Sequence, residues 1–464
     1  MSKPRILLVF SHPQKDVLAW PYRGFNFKKR IDELTEKLEK SCPGIDFTSA
    51  VVRSEEETED LIKQSNEFDG IVNYTIGSDS GTPITIARSG KPAILVDDLY
   101  GAADDVLIAC SFAKRNRFPV IGIASSNFKD VINLVKLFKI KKKLSEAKIL
   151  IIAGNGGMRR VPQYPSHLKE IYGPAQEDVK AQADRVKELF GIEIIGMDFE
   201  ELNNYYGNIS EQEAERWADK WINEALRVVE PTRVEIIKSA KLYLALKKAI
   251  EEKEADAITI DCYGNFDKLP AYPCLAFFQL NNEGFTAVCE ADLSSTITQL
   301  LIRYLTKETL GESRPGFVND PVIDFGTRRI IYAHCTATNR VFGPSNPPNQ
   351  YLIRTHAEMK EGVAVQSLMP CEKKVTTVQI HFMGKPVIVI HQGKTVANED
   401  VERGCRTKLA SKANVEKIWA NWNKQGEIIV PAHWHRVTVY GDWRKQLQDL
   451  VTLMGISIFE EDKV

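Results

Sequence analysis

The chain of 464 residues has no excess charge of either sign, because 61 Lys and Arg face 62 Asp and Glu for a formal net charge of −1. Binding nucleic acid generally draws on a basic surface that releases counterions from phosphates, so no nucleic-acid partner is expected. Nowhere does the sequence approach the roughly 18 consecutive apolar residues that read as a membrane span, and no membrane partner is expected either. The opening MSKPRILLVFSHPQKD carries a short apolar run ended by Ser11, His12 and Pro13. It lacks the longer apolar region and small-residue cleavage site of a secretory signal, so a cytoplasmic setting is expected. The eight cysteines form no Cys-x-x-Cys pair. In a chain of this length they read as reduced core residues rather than a disulfide framework. No phosphate-binding loop ending in Gly-Lys-Ser or Gly-Lys-Thr occurs, which argues against ATP-driven chemistry. Gly154-Asn155-Gly156-Gly157 follows an apolar strand but lacks the third glycine of a dinucleotide turn, and reads as a tight turn. Histidine is nearly missing from the first two-thirds of the chain. Only His12 and His167 precede residue 334, whereas His334, His356, His381, His391, His433 and His435 follow. As the commonest metal ligand and the proton carrier of neutral pH, histidine points to where chemistry can sit.

What is present supports several sizeable cores: 43% of the residues are hydrophobic and 9% aromatic. The length sets a prior of about three domains. From residue 5 to about 140 the apolar runs RILLVF, FTSAVV, GIVNYT, PAILVD and PVIGIA alternate with amphipathic segments such as IDELTEKLEK. That is βαβ alternation and predicts a doubly wound α/β domain over residues 1–145. A second series opens with KILIIA and runs through two long helical patterns separated by Pro231. It continues through AITIDC and FTAVCEAD to a helix for which Ser294 or Ser295 is the expected N-cap, and it defines a second α/β domain over 146–310. After Arg314-Pro315-Gly316 the pattern changes to apolar–polar alternation with Gly, Pro and Asn between short strands, predicting an antiparallel β-rich, barrel-like domain over 311–464.

Three segments carry the chemistry. In Cys289-Glu290-Ala291-Asp292-Leu293 two acids end an otherwise apolar strand. Ligands gather at the carboxyl ends of strands in α/β sheets, and an acid there is costly unless paired or metal-bound. Helix capping by Asp292 is the simpler alternative. In Phe317-Val318-Asn319-Asp320-Pro321 a second acid sits at the junction of the α/β and β-rich regions, where active sites are favoured. Alone, the Asn-Asp-Pro sequence would read as a turn. In Pro431-Ala432-His433-Trp434-His435-Arg436, within a strand pattern, His433 and His435 share one face and Trp434 takes the other. His334 ends the strand RIIYAH, while His356, His381 and His391 sit in ordinary alternation and read as structural or surface residues.

In this order the elements resemble the family of L-fucose isomerase and L-arabinose isomerase, metal-dependent aldose–ketose isomerases of carbohydrate metabolism. The resemblance spans the domain plan, with motif support confined to about 285–335 and 431–455. It implies Glu290 and Asp320 as paired acid and base and as metal ligands, with His435 and His334 completing the site. The second acid falls on Asp320 or, in the register of the arabinose branch, on Asn319, and the late ligand on His435 or His433. His433, Trp434 and Asn319 are then substrate-binding candidates. The resemblance also implies Mn²⁺, with Co²⁺ or Mg²⁺ as alternatives, a sugar substrate, and a homo-oligomer, trimer or hexamer, whose N-terminal domain helps bind the sugar. Mixed carboxylate and imidazole donors suit such ions, and thiols do not. Two other readings stay open: a metal-dependent epimerase or lyase on a sugar acid or modified sugar, and a non-catalytic sugar-binding protein.

Overall fold

The structure is a computed structural model that describes residues 2–13, 20–78, 80–154, 179–263, 265–423 and 434–463. His433 and the tract 155–178, which holds most of the Gly154 turn, lie outside the described residues. The chain divides into two compact units, one of Met1–Lys143 with Lys445–Ile458 and the other of Leu144–Arg444 with Phe459–Val464.

In the first unit five parallel strands, β1 (Arg5–Ser11), β2 (Asp46–Val52), β3 (Gly70–Thr75), β4 (Ala93–Asp97) and β5 (Val120–Ala124), form a sheet in the order β2-β1-β3-β4-β5. The apolar runs read from the sequence coincide with these strands to within a residue. β3 and β4 are buried along their whole length, as expected of parallel strands covered on both faces. The helix Phe27–Ser41 turns Leu34 and Leu38 inward, and Asn26 caps it by accepting from Lys29 N at 3.0 Å. Gly70 is required by contact: a Cβ there would stand 2.1 Å from the Phe138 ring.

The second unit begins with another parallel sheet, β6 (Lys148–Ile152), β7 (Glu193–Met197), β9 (Ala257–Ile260) and β10 (Thr286–Cys289), in the order β10-β9-β6-β7. A two-residue strand, β8 (Arg227–Val228), pairs instead with β13 (Tyr351–Arg354), which also pairs with β14 (Ala364–Ser367). The two long helices expected on either side of Pro231 are Glu211–Glu224 and Arg233–Glu252, the latter opened by a capping box between Thr232 and Glu235. The helix Leu293–Leu310 follows β10, and of the caps read from the sequence its N-cap is Asp292, not Ser294 or Ser295. A carboxylate also complements the positive end of the helix dipole, which a hydroxyl does not.

The rest of this unit is a mostly antiparallel sheet of β11 (Phe317–Asp324), β12 (Arg329–His334), β15 (Lys374–His381), β16 (Val387–Asn398), β17 (Thr407–Lys412), β18 (Arg436–Tyr440) and β19 (Ser457–Glu460). The order is β15-β18-β11-β12-β17-β16-β19, and β15 also pairs with β16. Asn319-Asp320-Pro321 is not a turn but the middle of β11. Pairing of β11 with β18 stops at Asn319, and from there the strand has a neighbour on one side only, where a missing N–H is tolerated.

One buried network ties this sheet to the last residues. Glu461 accepts from Arg436 Nη2 at 2.8 Å and Trp422 Nε1 at 2.8 Å, and its other oxygen lies 2.6 Å from His391 Nδ1. Tyr332 Oη contacts the second ring nitrogen of His391 at 2.9 Å. Burial opposes ionisation of Glu461, but the Arg436 charge and the His391 contact outweigh it and hold the carboxyl well below the usual range. Because the folded value is depressed, this stabilisation is present above the unfolded carboxylate pKa of about 4.3 and is lost as pH falls below it. Replacing Glu461 by Ala would remove the buried carboxylate that pairs with the Arg436 guanidinium. The expected outcome is a loss of about 3–5 kcal/mol in urea unfolding at neutral pH, with the difference from wild type shrinking in acid.

Candidate functional site

β10 ends at Cys289, and the next two residues adopt left-handed backbone, with φ of +67° at Glu290 and +49° at Ala291. For residues other than glycine this costs roughly 1–2 kcal/mol each, so such a turn persists only where its surroundings impose it. Here Ala291 N donates to Ile260 O at 2.9 Å. Asp292 then fixes the helix start, accepting from Ser295 N at 3.0 Å and from Ser295 Oγ at 2.5 Å. Glu290 is thus held at the carboxyl end of the parallel sheet, where ligands are bound in α/β folds.

Strand registers supply the remaining groups. Asp320 pairs with Ala333 on β12, and Asn319 with Arg436 on β18. Asp320 therefore stands between His334, at the end of β12, and His435, the residue before β18. The side chains converge: His435 Nε2 lies 3.5 Å from Asp320 Oδ1 and 3.7 Å from Glu290 Oε2, and His334 Nε2 lies 3.8 Å from Glu290 Oε1. The two imidazole rings meet edge to face at 5.3 Å. On its far side His435 Nδ1 is 2.9 Å from Asp292 Oδ2.

The electrostatics follow from this crowding. Burial works against the charged form of His435, but Glu290, Asp292 and Asp320 outweigh it and push its pKa up to about 10. Burial likewise opposes ionisation of Asp292, yet the His435 hydrogen bond and charge and the Ser295 donors hold it well below the usual carboxylate range. Burial lowers the pKa of His334, with the Asp320 charge acting in the opposite direction. Three carboxylates thus face one imidazolium, a local excess of negative charge suited to a further cation. Asp320, His334 and His435 each offer a ligand atom within 4.8 Å of one another, and Cys289, Glu290 and His334 form an adjoining group. Carboxylates with imidazoles fit a divalent metal ion, and Asp292 is placed as the carboxylate that orients a ligating histidine.

Of the residues singled out from the sequence, Glu290, Asp320, His334 and His435 come together. Asn319 does not join them, because its buried amide donates to Phe317 O at 2.7 Å and Thr438 Oγ1 at 3.0 Å. Trp434 rests against Trp422, ring centroids 5.4 Å apart. Two further groups were not singled out as site residues. Asp292 was read as one of two strand-end acids with helix capping as the alternative and was left out of the site, and it both caps the helix and holds His435. Glu358, in the turn after β13, has its carboxyl pushed up first by burial and then by the charges of Glu290 and Asp320. A carboxyl held toward its protonated form is suited to donating a proton. Nothing in the surrounding sequence HAEMK marks it.

The first unit has a cavity of its own, of about 650 Å³, lined in part by Tyr22, Arg30, Asp98 and Tyr100. Arg30 holds Asp98 through two hydrogen bonds of 2.8 and 2.6 Å. Trp20 and Tyr100 stack with centroids 6.1 Å apart and are largely exposed.

Residues 176–308 match the model of the L-arabinose isomerase central domain. Sulfoquinovose isomerase from Priestia aryabhattai and its counterpart from Priestia megaterium are each 25% identical to this chain over 239 residues. The aligned region is 50% of this chain and 47% of each relative. These matches support an arabinose/fucose isomerase-like family. The chain spans about half the length of the curated relatives it matches. An ABC transporter periplasmic solute binding protein from Actinobacillus succinogenes 130z, solved with bound D-allose, aligns with 66% of this chain and 92% of its own, at 13% identity and a TM-score of 0.18. A likeness that low carries no argument. The span matched by the family model includes Glu290 and Asp292 but ends before Asp320, His334 and His435, whose placement rests on the geometry alone.

If Asp292 holds His435 as described, Asp292→Asn in the metal-free protein should lower the His435 pKa by about 1–3 units, read by histidine proton NMR. An unchanged titration would remove Asp292 from the site.

Proposed function

We propose that this chain is a metal-dependent aldose–ketose isomerase. The observation that carries the reading is the convergence of Glu290, Asp320, His334 and His435 within 3.5–3.8 Å contacts from the four strands β10, β11, β12 and β18 or the residues next to them. The family-model match and the isomerase relatives support it.

Glu290, Asp320, His334 and His435 would hold a divalent cation, which when bound polarises the sugar carbonyl and stabilises negative charge on the neighbouring oxygens. Mn²⁺ is the ion proposed, with Co²⁺ or Mg²⁺ as alternatives. His435 keeps the N–H on Nδ1 pointed at Asp292, which leaves Nε2 toward Glu290 and Asp320. Those two carboxylates serve as base and acid: one takes the proton from C2 of the aldose, the hydroxyl proton of O2 passes to O1, and the other returns a proton to C1. Between the two transfers the substrate is a cis-enediolate. Each transfer contributes typically about 10²–10⁴-fold in rate. Glu358 is a third proton-holding group facing the same charges.

The first unit, taken by itself, has a cavity with Tyr22, Tyr100 and the Arg30–Asp98 pair that is a separate candidate for holding a sugar. Aromatic faces pack against the C–H surface of a sugar ring, and paired polar groups accept and donate to its hydroxyls. The substrate is an aldose, and the relatives make sulfoquinovose the first to test. The domain division 1–145, 146–310 and 311–464 belongs to the same proposal. So do a cytoplasmic homo-oligomer and a barrel-like pairing of the β-rich region, in which β15 joins both β18 and β16.

Chelator treatment should abolish ketose formation from a panel of aldoses, sulfoquinovose included, and Mn²⁺ should restore it. Undiminished turnover by metal-free protein overturns the proposal. Glu290→Gln should keep the wild-type circular dichroism while losing at least about 10²-fold in kcat. The same variant should stop exchange of the C2 proton with deuterated solvent, and near-normal rates would remove Glu290 from its role.

A further inference from the structure

Behind the convergent carboxylates lies a second set of donors with different chemistry. Cys274, Cys335 and His356 are all buried, and each offers a ligand atom within 4.8 Å of the other two. Cys274 opens the helix Cys274–Asn282, Cys335 follows β12, and His356 follows β13. The two sulfurs are 3.5 Å apart. Cys405, two residues before β17, brings its thiol to Cys335 as well. The His356 ring leans on Phe266 and Tyr272 at centroid distances of 5.3 and 5.7 Å, and those two rings stack on each other at 4.3 Å. Ala364 belongs to the same small buried cluster as Cys274 and Cys335. The donors are therefore enclosed by aromatic and apolar walls.

We propose that Cys274, Cys335 and His356 form a structural zinc site, with Cys405 placed to supply the fourth donor. Zinc–sulfur bonds of about 2.3 Å in a tetrahedral site put neighbouring sulfurs about 3.8 Å apart, close to the 3.5 Å separation found here. Two or three thiolates with one imidazole are soft donors that select zinc over the harder ions suited to the carboxylate site. Four protein donors leave no open position, as a structural site requires. Binding displaces the thiol protons to solvent, so uptake is accompanied by proton release. The site ties together the helix after β9, the end of β12, the loop after β13 and the approach to β17. Because Cys335 follows His334 directly, the same ion would fix the chain beside a group of the carboxylate site. This inference stands apart from the proposed catalysis, since it uses none of Glu290, Asp320 or His435.

The test uses the full chain, reduced with a phosphine, stripped with chelator and titrated with Co²⁺ as a spectroscopic stand-in for zinc. The expected result is an intense near-ultraviolet sulfur-to-cobalt charge-transfer band with the red d–d absorption of tetrahedral cobalt, both abolished by added Zn²⁺. The band should persist in Glu290→Gln and disappear in Cys274→Ser. His356→Asn, expected to weaken uptake and shift the d–d bands, is the second variant should Cys274→Ser fail to fold. Absence of the charge-transfer band in the wild-type chain overturns the proposal. So does a band that survives Cys274→Ser, or one lost in Glu290→Gln, which would assign the sulfur to Cys289 and the carboxylate site.

Discussion

His435 is held by Asp292 across 143 residues of sequence, and the candidate site depends on that hydrogen bond. With Nδ1 committed to Asp292, the other ring nitrogen is left facing Glu290 and Asp320. A carboxylate behind an imidazole fixes which nitrogen carries the proton and makes the exposed nitrogen a better electron donor. Asp292 can do this because it is already immobile: the same side chain caps the helix Leu293–Leu310, and Ser295 donates to both of its oxygens. The cap is therefore a local feature of one helix that sets the orientation of a residue arriving from the far end of the chain.

His435 is restrained from the other direction by the residue that follows it. The Arg436 guanidinium donates to His435 O at 3.0 Å and to Trp434 O at 3.3 Å, while its other arm is bound to Glu461. A buried ion pair of this kind is a weak source of net stability, because desolvation offsets most of the attraction. Its geometric effect is larger, since neither partner can move without breaking the buried ion pair between them. Glu461 is also tied to Trp422 and His391, so the backbone at His435 is anchored to three other parts of the sheet region. Two charged side chains thus restrain His435, Asp292 at the edge of its ring and Arg436 at its backbone carbonyl.

The parallel strands were legible in the sequence because they are short, mostly apolar runs alternating with amphipathic segments, and β3, β4, β9 and β10 are buried along their whole length. Glu290 and His334 were legible as unusual residues at strand ends, Asp320 as an acid at the domain junction and His435 as one of two histidines sharing a strand face. Their convergence was not, because it depends on the registers Asp320↔Ala333 and Asn319↔Arg436, which link segments far apart in the chain. Pro321 misled as a turn signal, since proline in a strand is tolerated where pairing is one-sided. The short strand β8 escaped notice because two residues carry no period. The cysteine cluster escaped for the same reason as the registers: its members come from four segments, and no Cys-x-x-Cys spacing announces them.

Departures from ordinary folding rules meet at Glu290. Two consecutive residues without glycine's freedom take left-handed backbone, three carboxylates share a small volume, and a histidine next to them is held positively charged. Glycine at 290 would relieve the backbone but would delete the carboxylate, and Ala291 packs against Ile151. Position 290 therefore keeps a strained residue because its side chain, not its backbone, is what the location calls for. Strain that local sequence preferences would remove is kept only where the surroundings over-determine it. Here those surroundings are the Ile260 carbonyl that holds Ala291, the capped helix and the ring of His435. The same contacts that force the turn also aim the carboxylate, which is why the strain and the convergence of ligands occur at one point.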